Sequence, residues 1–390
     1  MTLTRLSIHS VLLSAVVTCL GRQAPSQMVT SHSGSSEPVP AYRISLERRD
    51  PIPGIAASRE ISGPIECTPD GTAFLNMVIR TGPEQMSSSS RLVRLSPPIE
   101  ILVSASLSGE AHEFRLDQLH DLHDVKQKAH YATDSELAIL VIAAPEDKQG
   151  KESFVTSDGV KHEVAANVAE RHDYLVIFDR DGTYRKTIQL DDAMALVRVG
   201  VFASGNLLAF GFDRVDRSPK LALFNSDGSF LRFLEIPQGD VPTSMFRSQD
   251  SEGKGPAVFV APTQFVPYRG SIIVVQNETR FPLLDVNEAG AVSAIKPKLP
   301  QGVLVDSLIP SDANLYALGE GKDHSIFELN ADDGSVVRRL QTEKAEDTVV
   351  ACAHDGKFLS FKHSQGKLVP LLGTTAPLAF GAPHAERPEP

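Results

Sequence analysis

The chain of 390 residues contains no tryptophan, only three cysteines, and fewer basic than acidic residues. Three cysteines are too few for the disulfide scaffolds that stabilise small secreted domains. With 38 Lys and Arg against 49 Asp and Glu, the net charge of −11 argues against binding a phosphate backbone, so no nucleic-acid partner is expected. No apolar run reaches the roughly 18 residues of a membrane-spanning helix, so no integral span is predicted. The hydrophobic content of 41% still predicts a large folded core.

The first 21 residues have the features of an export signal. Arg5 gives a positive start, residues 11–17 form a short apolar core, and Cys19-Leu20-Gly21 supplies small residues for cleavage. A buried N-terminal helix is the alternative. Val16-Val17-Thr18-Cys19 resembles the lipobox of bacterial lipoproteins, and this resemblance implies lipidation of Cys19. We therefore predict a bacterial extracytoplasmic protein, which is periplasmic, secreted or lipid-anchored.

The composition at both ends predicts segments without a core. Residues 22–40 are rich in Ser, Pro and Gly and predict a flexible linker. Residues 377–390 are rich in Pro and predict a disordered tail. Residues 41–376 are left for the folded domain.

One pattern recurs six times within that domain: a turn residue, a small residue, a polar residue and then a continuous apolar run. The small residue gives the backbone freedom of a tight turn, and the apolar run is typical of a strand buried on both faces. Successive copies are 43 to 70 residues apart. The copies begin at Asp70-Gly71, Asp134-Ser135, Ser204-Gly205, Arg269-Gly270, Asp312-Ala313 and Asp355-Gly356.

A second hairpin falls between successive copies, as at Asp181-Gly182 and Asp227-Gly228. Two hairpins make a four-stranded sheet, and a single sheet cannot bury both its faces, so the units must stack. A closed ring leaves no exposed end. The sequence thus predicts an all-β fold, a six-bladed β-propeller of four-stranded antiparallel blades, with residues 42–46 as the outer strand of the sixth blade. A pair of β-sandwiches is the alternative.

The alternation of the inner strand and the outer hairpin over residues 58–372 resembles the NHL-repeat propellers of bacteria. Ser62-Gly63-Pro64-Ile65-Glu66 is similar to the stretch with which regucalcin-like lactonases hold a divalent metal over the channel, although Ser62 replaces the metal-binding Glu. Two polar insertions, residues 145–173 and 238–262, are expected to form a binding face, because long loops on a rigid ring usually carry function.

The candidate metal ligands are His120, His123 and Asp124, together with His112 and His130 nearby in the sequence. Imidazole and carboxylate are ligands of zinc and other divalent ions. The spacing of two histidines three residues apart is not specific, so we predict no cofactor and keep a divalent metal as the alternative. The turn Asp179-Arg180-Asp181-Gly182 resembles part of a calcium loop, but Asp and Gly are also the usual hairpin residues, so we interpret it as a structural turn.

Cys67 and Cys352 each precede an Asp-Gly turn by three residues, in the first and sixth units, which are neighbours in a closed ring. In an exported protein they could form a disulfide across the closure, and two buried thiols are the alternative, because the Cα atoms of adjacent inner strands can lie beyond the roughly 7 Å limit.

No catalytic constellation is evident in the sequence, so we assign no catalytic residue. We predict a monomeric, non-enzymatic propeller that binds an unidentified protein, peptide or saccharide through one loop-bearing face. The competing class is a metal-dependent hydrolase or lyase with its site at the channel mouth, and a third option is a scaffold recognised through its outer surface.

Overall fold

The computed structural model describes fifteen segments between Val39 and Pro377. These segments are 39–48, 59–79, 84–86, 92–94, 99–155, 161–235, 246–247, 258–259, 262–276, 283–300, 303–311, 314–320, 325–342, 348–364 and 367–377. Strands account for nearly all the regular structure in these segments, and the sole helix there is a 3₁₀ turn, η1 (Leu116–Gln118). The predicted export signal, most of the linker and residues 378–390 lie outside the described residues.

The strands occur in chain order as follows. They are β1 (Ala41–Arg48), β2 (Arg59–Cys67), β3 (Ala73–Ile79), β4 (Glu84–Met86), β5 (Leu92–Arg94), β6 (Ile99–Ala105), β7 (Ala111–Phe114), β8 (His123–Ala132), β9 (Glu136–Ala144), β10 (Gln149–Val155), β11 (Lys161–Asn167), β12 (His172–Asp179), β13 (Tyr184–Gln189), β14 (Met194–Val201), β15 (Leu207–Asp213), β16 (Pro219–Phe224), β17 (Phe230–Phe233), β18 (Phe246–Arg247), β19 (Val258–Phe259), β20 (Pro262–Tyr268), β21 (Ser271–Gln276), β22 (Leu283–Val286), β23 (Val292–Ile295), β24 (Leu304–Pro310), β25 (Leu315–Glu320), β26 (Ser325–Leu329), β27 (Val336–Thr342), β28 (Thr348–His354), β29 (Lys357–Ser364) and β30 (Lys367–Pro377).

Four blades are separate four-stranded antiparallel sheets. Their strand orders are β2-β3-β6-β7, β8-β9-β12-β13, β14-β15-β16-β17 and β20-β21-β22-β23. The second strand of a blade carries the continuous apolar run. In β9 the residues of one face, Leu137, Ile139 and Val141, are fully buried, and so are the residues between them, which point to the other face. A strand with both faces covered needs no polar side, which explains why the runs lack the usual alternation.

The remaining eight main strands form one sheet in the order β24-β25-β26-β27-β1-β30-β29-β28. β1 pairs antiparallel with β30, with Tyr42 opposite Pro377 and Leu46 opposite Gly373, as the sequence predicted for residues 42–46. The other edge of β1 pairs in parallel with β27, with Ala41 opposite Arg339. The sequence predicted six separate blades, whereas β1 joins the last two groups of four strands into a single sheet.

The first strands of the successive sheets face one another. β2 contacts β8, β8 contacts β14, β14 contacts β20, β20 contacts β24, β24 contacts β28, and β28 contacts β2 again. This closed circuit of inner strands, together with the four-stranded antiparallel blades, makes the fold a β-propeller.

The core lies between neighbouring blades. Between the first and second blades, the ring centroid of Phe114 lies 5.8 Å from that of Phe74 and 5.9 Å from that of Phe178. All three rings are at most 2% exposed. In the described segments each cluster of buried side chains combines residues from neighbouring sheets, so the hydrophobic core lies between the blades.

A meander of four antiparallel strands places its first and third turns at one end and its other connections at the opposite end. We call the first end the turn face; it carries the turns that begin at Asp70-Gly71 and Asp181-Gly182. We call the other end the insertion face, because β9 ends there and β12 begins there, on either side of the first predicted insertion. The first insertion contains the hairpin of β10 and β11, and the second contains β18 and β19.

Candidate binding pocket and a buried ionisable cluster

A cavity of about 410 Å³ opens on the turn face between the first and second blades. Three turns surround it: the one between β2 and β3, the one between β6 and β7, and the one between β12 and β13. The volume lies within the range of sites for small molecules or single side chains. Its lining residues are Asp70, Thr72, Ser104, Ser106, Leu107, Ser108, Glu110, His112, Arg180 and Asp181.

Arg180 fixes one wall of this pocket by joining the two blades. Its guanidinium donates hydrogen bonds to the carboxylate of Asp70 and the hydroxyl of Thr72 on the first blade. It also donates to the carbonyl oxygen of Asp134 on the second blade, at 2.9 Å. Burial acts to raise the pKa of Asp70, but the hydrogen bonds from Arg180 and Thr68 outweigh it and lower that pKa. Asp70 is therefore ionised at neutral pH.

Hydroxyl groups form the floor and the opposite wall. Thr72 and Ser104 are 6% and 2% exposed, so they lie at the bottom of the pocket. Ser106 Oγ and Ser108 Oγ lie 2.6 Å apart, and Ser106 Oγ accepts a hydrogen bond from the backbone N–H of Glu110 at 3.2 Å. These contacts hold the polar atoms in place before a ligand arrives, which reduces the entropic cost of binding.

The pocket carries more negative than positive charge. Asp181 Oδ1 accepts the N–H of Thr183 at 2.9 Å, and the backbone and hydroxyl of Thr183 lower the pKa of Asp181. Asp70, Glu110 and Asp181 supply three carboxylates, whereas Arg180 is the sole guanidinium among the lining residues. After Asp70 and Arg180 cancel each other, two carboxylates remain to attract a cation.

The histidines that are close together in the sequence lie on or beside different elements. His112 lines the pocket, His120 follows η1, and His123 begins β8. Asp124 forms an ion pair with Arg171, and its Oδ1 lies 3.6 Å from Nζ of Lys126. In the described segments no three His, Cys, Asp or Glu side chains come together in an arrangement that could hold a metal ion.

Cys67 on β2 and Cys352 on β28 form a disulfide in the structure. Their Cα atoms lie 5.3 Å apart, well inside the limit for a disulfide. The sequence left open that the two Cα atoms would be too far apart for a disulfide. They are close enough because β2 and β28 contact each other. Cys19, the residue predicted to be lipidated, lies outside the described residues.

A second group of polar residues, which the sequence did not reveal as a site, lies among the inner strands. Glu66 on β2, His130 on β8 and Arg198 on β14 come together, and we call them the buried cluster. Glu66 Oε1 lies 3.6 Å from Arg198 Nη1, and Glu66 Oε2 lies 3.9 Å from His130 Nε2. Both distances are too long for a hydrogen bond.

Burial dominates the protonation of the buried cluster. Loss of solvent raises the pKa of Glu66 to about 8. The positive charge of Arg198 and the nearby N–H of Ala132 act in the opposite direction, but their effect on the pKa is smaller. Loss of solvent, reinforced by the charge of Arg198, lowers the pKa of His130 to about 3. At pH 7 the histidine is therefore neutral and the carboxyl group is mostly protonated.

The repeat contains a signal that could have found two of these residues. Glu66 and His130 both stand four positions before the turn residue of their copies, Asp70 and Asp134. The same position in the other copies holds an apolar or small residue. These residues are Gly200, Phe265, Leu308 and Ala351. An ionisable residue at a position that is otherwise apolar needs a reason other than packing.

Comparisons with known proteins find solved structures of low similarity. No protein-family model and no curated protein matches the chain. Among solved structures, the β-propeller domain of the Trilobed protease from Pyrococcus furiosus is 10% identical, with 84% of this chain and 85% of that chain covered and a TM-score of 0.36. A Dos1 propeller is 11% identical, covering 81% and 94% with a TM-score of 0.33. A DUF4623 family protein from Bacteroides eggerthii is 9% identical, covering 80% and 71% with a TM-score of 0.37. The fold assignment rests on the strand pairing given above.

Across the segments that the structure describes, no helix has the length and apolar character needed to cross a bilayer.

Proposed function

We propose that this chain is an exported, six-bladed, non-enzymatic β-propeller that binds a protein or peptide by taking up a basic side chain in the turn-face pocket. The single observation that supports this function is the pocket itself. It is preformed, polar and negatively charged, and it lies on the rim of a rigid ring.

The count of six follows from dividing the eight-stranded sheet at its parallel pairing. β24 to β27 form one antiparallel meander, and β28, β29, β30 and β1 form another. The pairing between β27 and β1 is parallel, unlike the pairings within a blade. Two blades from this sheet and the four separate sheets make six, and the inner strands make contacts in that cyclic order.

Export is supported by two independent features. The first 21 residues have the features of a signal segment, and disulfides such as that between Cys67 and Cys352 form in oxidising compartments. Mass spectrometry of the N-terminal peptide from the mature protein tests export and the lipidation of Cys19 together. An unprocessed N-terminus beginning at Met1 would contradict both.

A basic side chain suits the pocket better than a saccharide for reasons of charge and surface. Glu110 and Asp181 leave negative charge that an ammonium or guanidinium group can neutralise through charge-assisted hydrogen bonds. Saccharides are usually held by a stacked aromatic ring as well as by polar groups, and the lining residues include no Phe, Tyr or Trp. Ser106 and Ser108 can accept the remaining donors of the cation.

The experiment uses a fluorescently labelled tetralysine peptide and measures anisotropy at low ionic strength. Asp181→Asn should weaken binding about tenfold, because one charge-assisted hydrogen bond is worth roughly 1.5 kcal/mol or more. The matched control is Asp227→Asn. Asp227 accepts the N–H of Ser229 at 2.9 Å in the corresponding turn of the third blade, so it has the same local role as Asp181 away from the pocket.

The control separates a site from general surface charge. If Asp181→Asn and Asp227→Asn weaken binding equally, the peptide recognises only the net negative charge and the proposal is wrong. If tetralysine fails to bind while chitotetraose binds and Asp181→Asn abolishes that binding, the pocket is a saccharide site instead.

A further inference from the structure

Several polar atoms of the buried cluster make no hydrogen bond of acceptable geometry. Glu66 and His130 are 3% and 5% exposed, so both side chains are more than nine-tenths buried. Neither carboxyl oxygen of Glu66, nor His130 Nε2, nor Arg198 Nε makes a hydrogen bond of acceptable geometry within the described part of the chain. Buried polar groups without partners are costly, and native proteins normally satisfy them with water or a ligand.

The spacing of the cluster suits a small bridging group. The gaps of 3.6 Å and 3.9 Å between Glu66 and its two neighbours are too long for direct hydrogen bonds. One atom placed about 2.8 Å from each partner would bridge either gap. The side chain of Arg198 is 14% exposed, and it connects the cluster to solvent.

We propose that Glu66, His130 and Arg198 form a binding site for a small monoanion, and that the anion binds only when Glu66 is protonated. The inference does not depend on the pocket at the turn face. It concerns a different site with the opposite charge preference.

Charge balance links the anion to the proton. When Glu66 is ionised, its charge cancels that of Arg198 and leaves no net attraction for an anion. When Glu66 is protonated, the cluster carries the single positive charge of Arg198. All three side chains then present donors, namely the carboxyl O–H, the imidazole Nε2–H and the guanidinium N–H groups. A monoanion restores neutrality in this low-dielectric site.

The surroundings leave Glu66 as the group that titrates near neutral pH. The ionisable groups that face it in the described segments are His130 and Tyr131 from β8 and Arg198 from β14. Burial lowers the pKa of His130 to about 3, and burial with the charge of Glu66 raises the pKa of Tyr131 well above its usual value. Both stay neutral between pH 6 and pH 9, whereas the pKa of Glu66 is about 8.

The test measures the binding of sodium formate to the purified protein by isothermal titration calorimetry at pH 6, 7 and 9. Ionic strength is kept constant with a bulky sulfonate buffer. Because protonated Glu66 is required, the Kd should be nearly constant up to pH 7 and about tenfold weaker at pH 9. Above the pKa, buffers of different ionisation enthalpy should report the uptake of about one proton per formate.

Two variants distinguish this site from a structural polar contact. Glu66→Gln keeps a donor but cannot ionise, so it should bind formate with the same affinity at pH 6 and pH 9 and without proton uptake. Arg198→Gln should abolish binding. Arg214→Gln is the control, since it removes the same charge from a surface pair with Asp192. Circular dichroism checks the fold of each variant, and if Arg198→Gln does not fold, the behaviour of Glu66→Gln still decides.

Each outcome bears on the proposal. Formate binding that weakens above pH 8 in the wild type and becomes independent of pH in Glu66→Gln supports it. Chloride that competes with formate extends the site to other monoanions and also supports it. No formate or chloride binding at pH 6, or wild-type binding that does not change with pH, would overturn it and leave water as the occupant.

Discussion

The disulfide between Cys67 and Cys352 should be the largest single covalent contribution to the stability of this ring. It joins residues 285 positions apart in the chain. In the chain-entropy treatment, closing a loop of that length in the unfolded state stabilises the native state by about 5.6 kcal/mol, whereas removing a native disulfide typically costs roughly 2–5 kcal/mol. Hydrogen bonds between β1 and β30 span the same closure, but they do not restrict the unfolded chain.

The melting temperature converts this free energy into a measurable shift. At about 2.1 cal/mol/K per residue, a ring of about 340 residues unfolds with an entropy of roughly 0.7 kcal/mol/K. A loss of 2–5 kcal/mol therefore lowers Tm by roughly 3–7 °C. Differential scanning calorimetry of the wild type with and without a phosphine reductant measures this shift without changing any side chain.

The double variant Cys67→Ala/Cys352→Ala is the matched control, because it should melt at the same temperature with and without reductant. Both cysteines are at most 2% exposed, so the variant should also lie below the reduced wild type through loss of packing. Mass spectrometry after alkylation counts the thiols. The reasoning is refuted if two thiols are alkylated in denatured protein that was never reduced, or if complete reduction leaves Tm unchanged.

Two further predictions concern pH and backbone conformation. Unfolded Glu66 ionises near its usual pKa of 4.5 and folded Glu66 near 8, so stability from this group falls as pH rises from 4.5 to 8, and Glu66→Gln should flatten that slope in urea denaturation. Unfolded His130 gains a proton below its usual pKa of 6.5, whereas the pKa of folded His130 is about 3. The stability from this group therefore falls as pH drops from 6.5 to 3, and His130→Gln should flatten that part of the stability curve. Unchanged slopes in both variants would show that neither pKa is shifted. Gly228 has a φ of +93° and an added Cβ would clash with the carbonyl oxygen of Gln189, whereas Gly270 has a φ of +79° with no atom within 4 Å of that Cβ. Gly228→Ala should therefore cost more than 2 kcal/mol and Gly270→Ala about 1 kcal/mol in the same assay, and equal costs would contradict the steric argument.

The architecture could be predicted from sequence because the blades of a propeller repeat the same sequence pattern. Turn residues such as Asp70 and Asp355 mark where the first strand ends, and the apolar run that follows marks a strand buried on both faces. Even the pairing of residues 42–46 follows from counting, since the last unit lacks a strand. The parallel pairing of β1 with β27 could not be predicted, because it depends on how closely two blades approach at their outer edges.

The sites could not be predicted to the same degree because they combine distant repeats. Arg180 and Asp181 have the composition of an ordinary hairpin turn, and only their approach to Asp70, 110 residues earlier than Arg180, makes them part of a pocket. His120 and His123 are close in sequence, yet His120 follows η1 and His123 begins β8, where the neighbouring Asp124 is paired with Arg171. Adjacency along the chain is a poor guide when inner strands of different blades supply the side chains.

The position of β1 has a consequence for how the protein is made. Its partners in β30 lie more than 320 residues downstream, with Tyr42 opposite Pro377. These are contacts of very high sequence separation, which slow folding because the loop must close before they form. A chain that emerges from its N-terminus first must keep β1 unpaired until almost all of the sequence has followed, and an unpaired edge strand invites association with other chains. A truncation before residue 371 would remove the antiparallel partners of β1 and leave only its short parallel pairing with β27, so one edge of β1 would stay open to other chains.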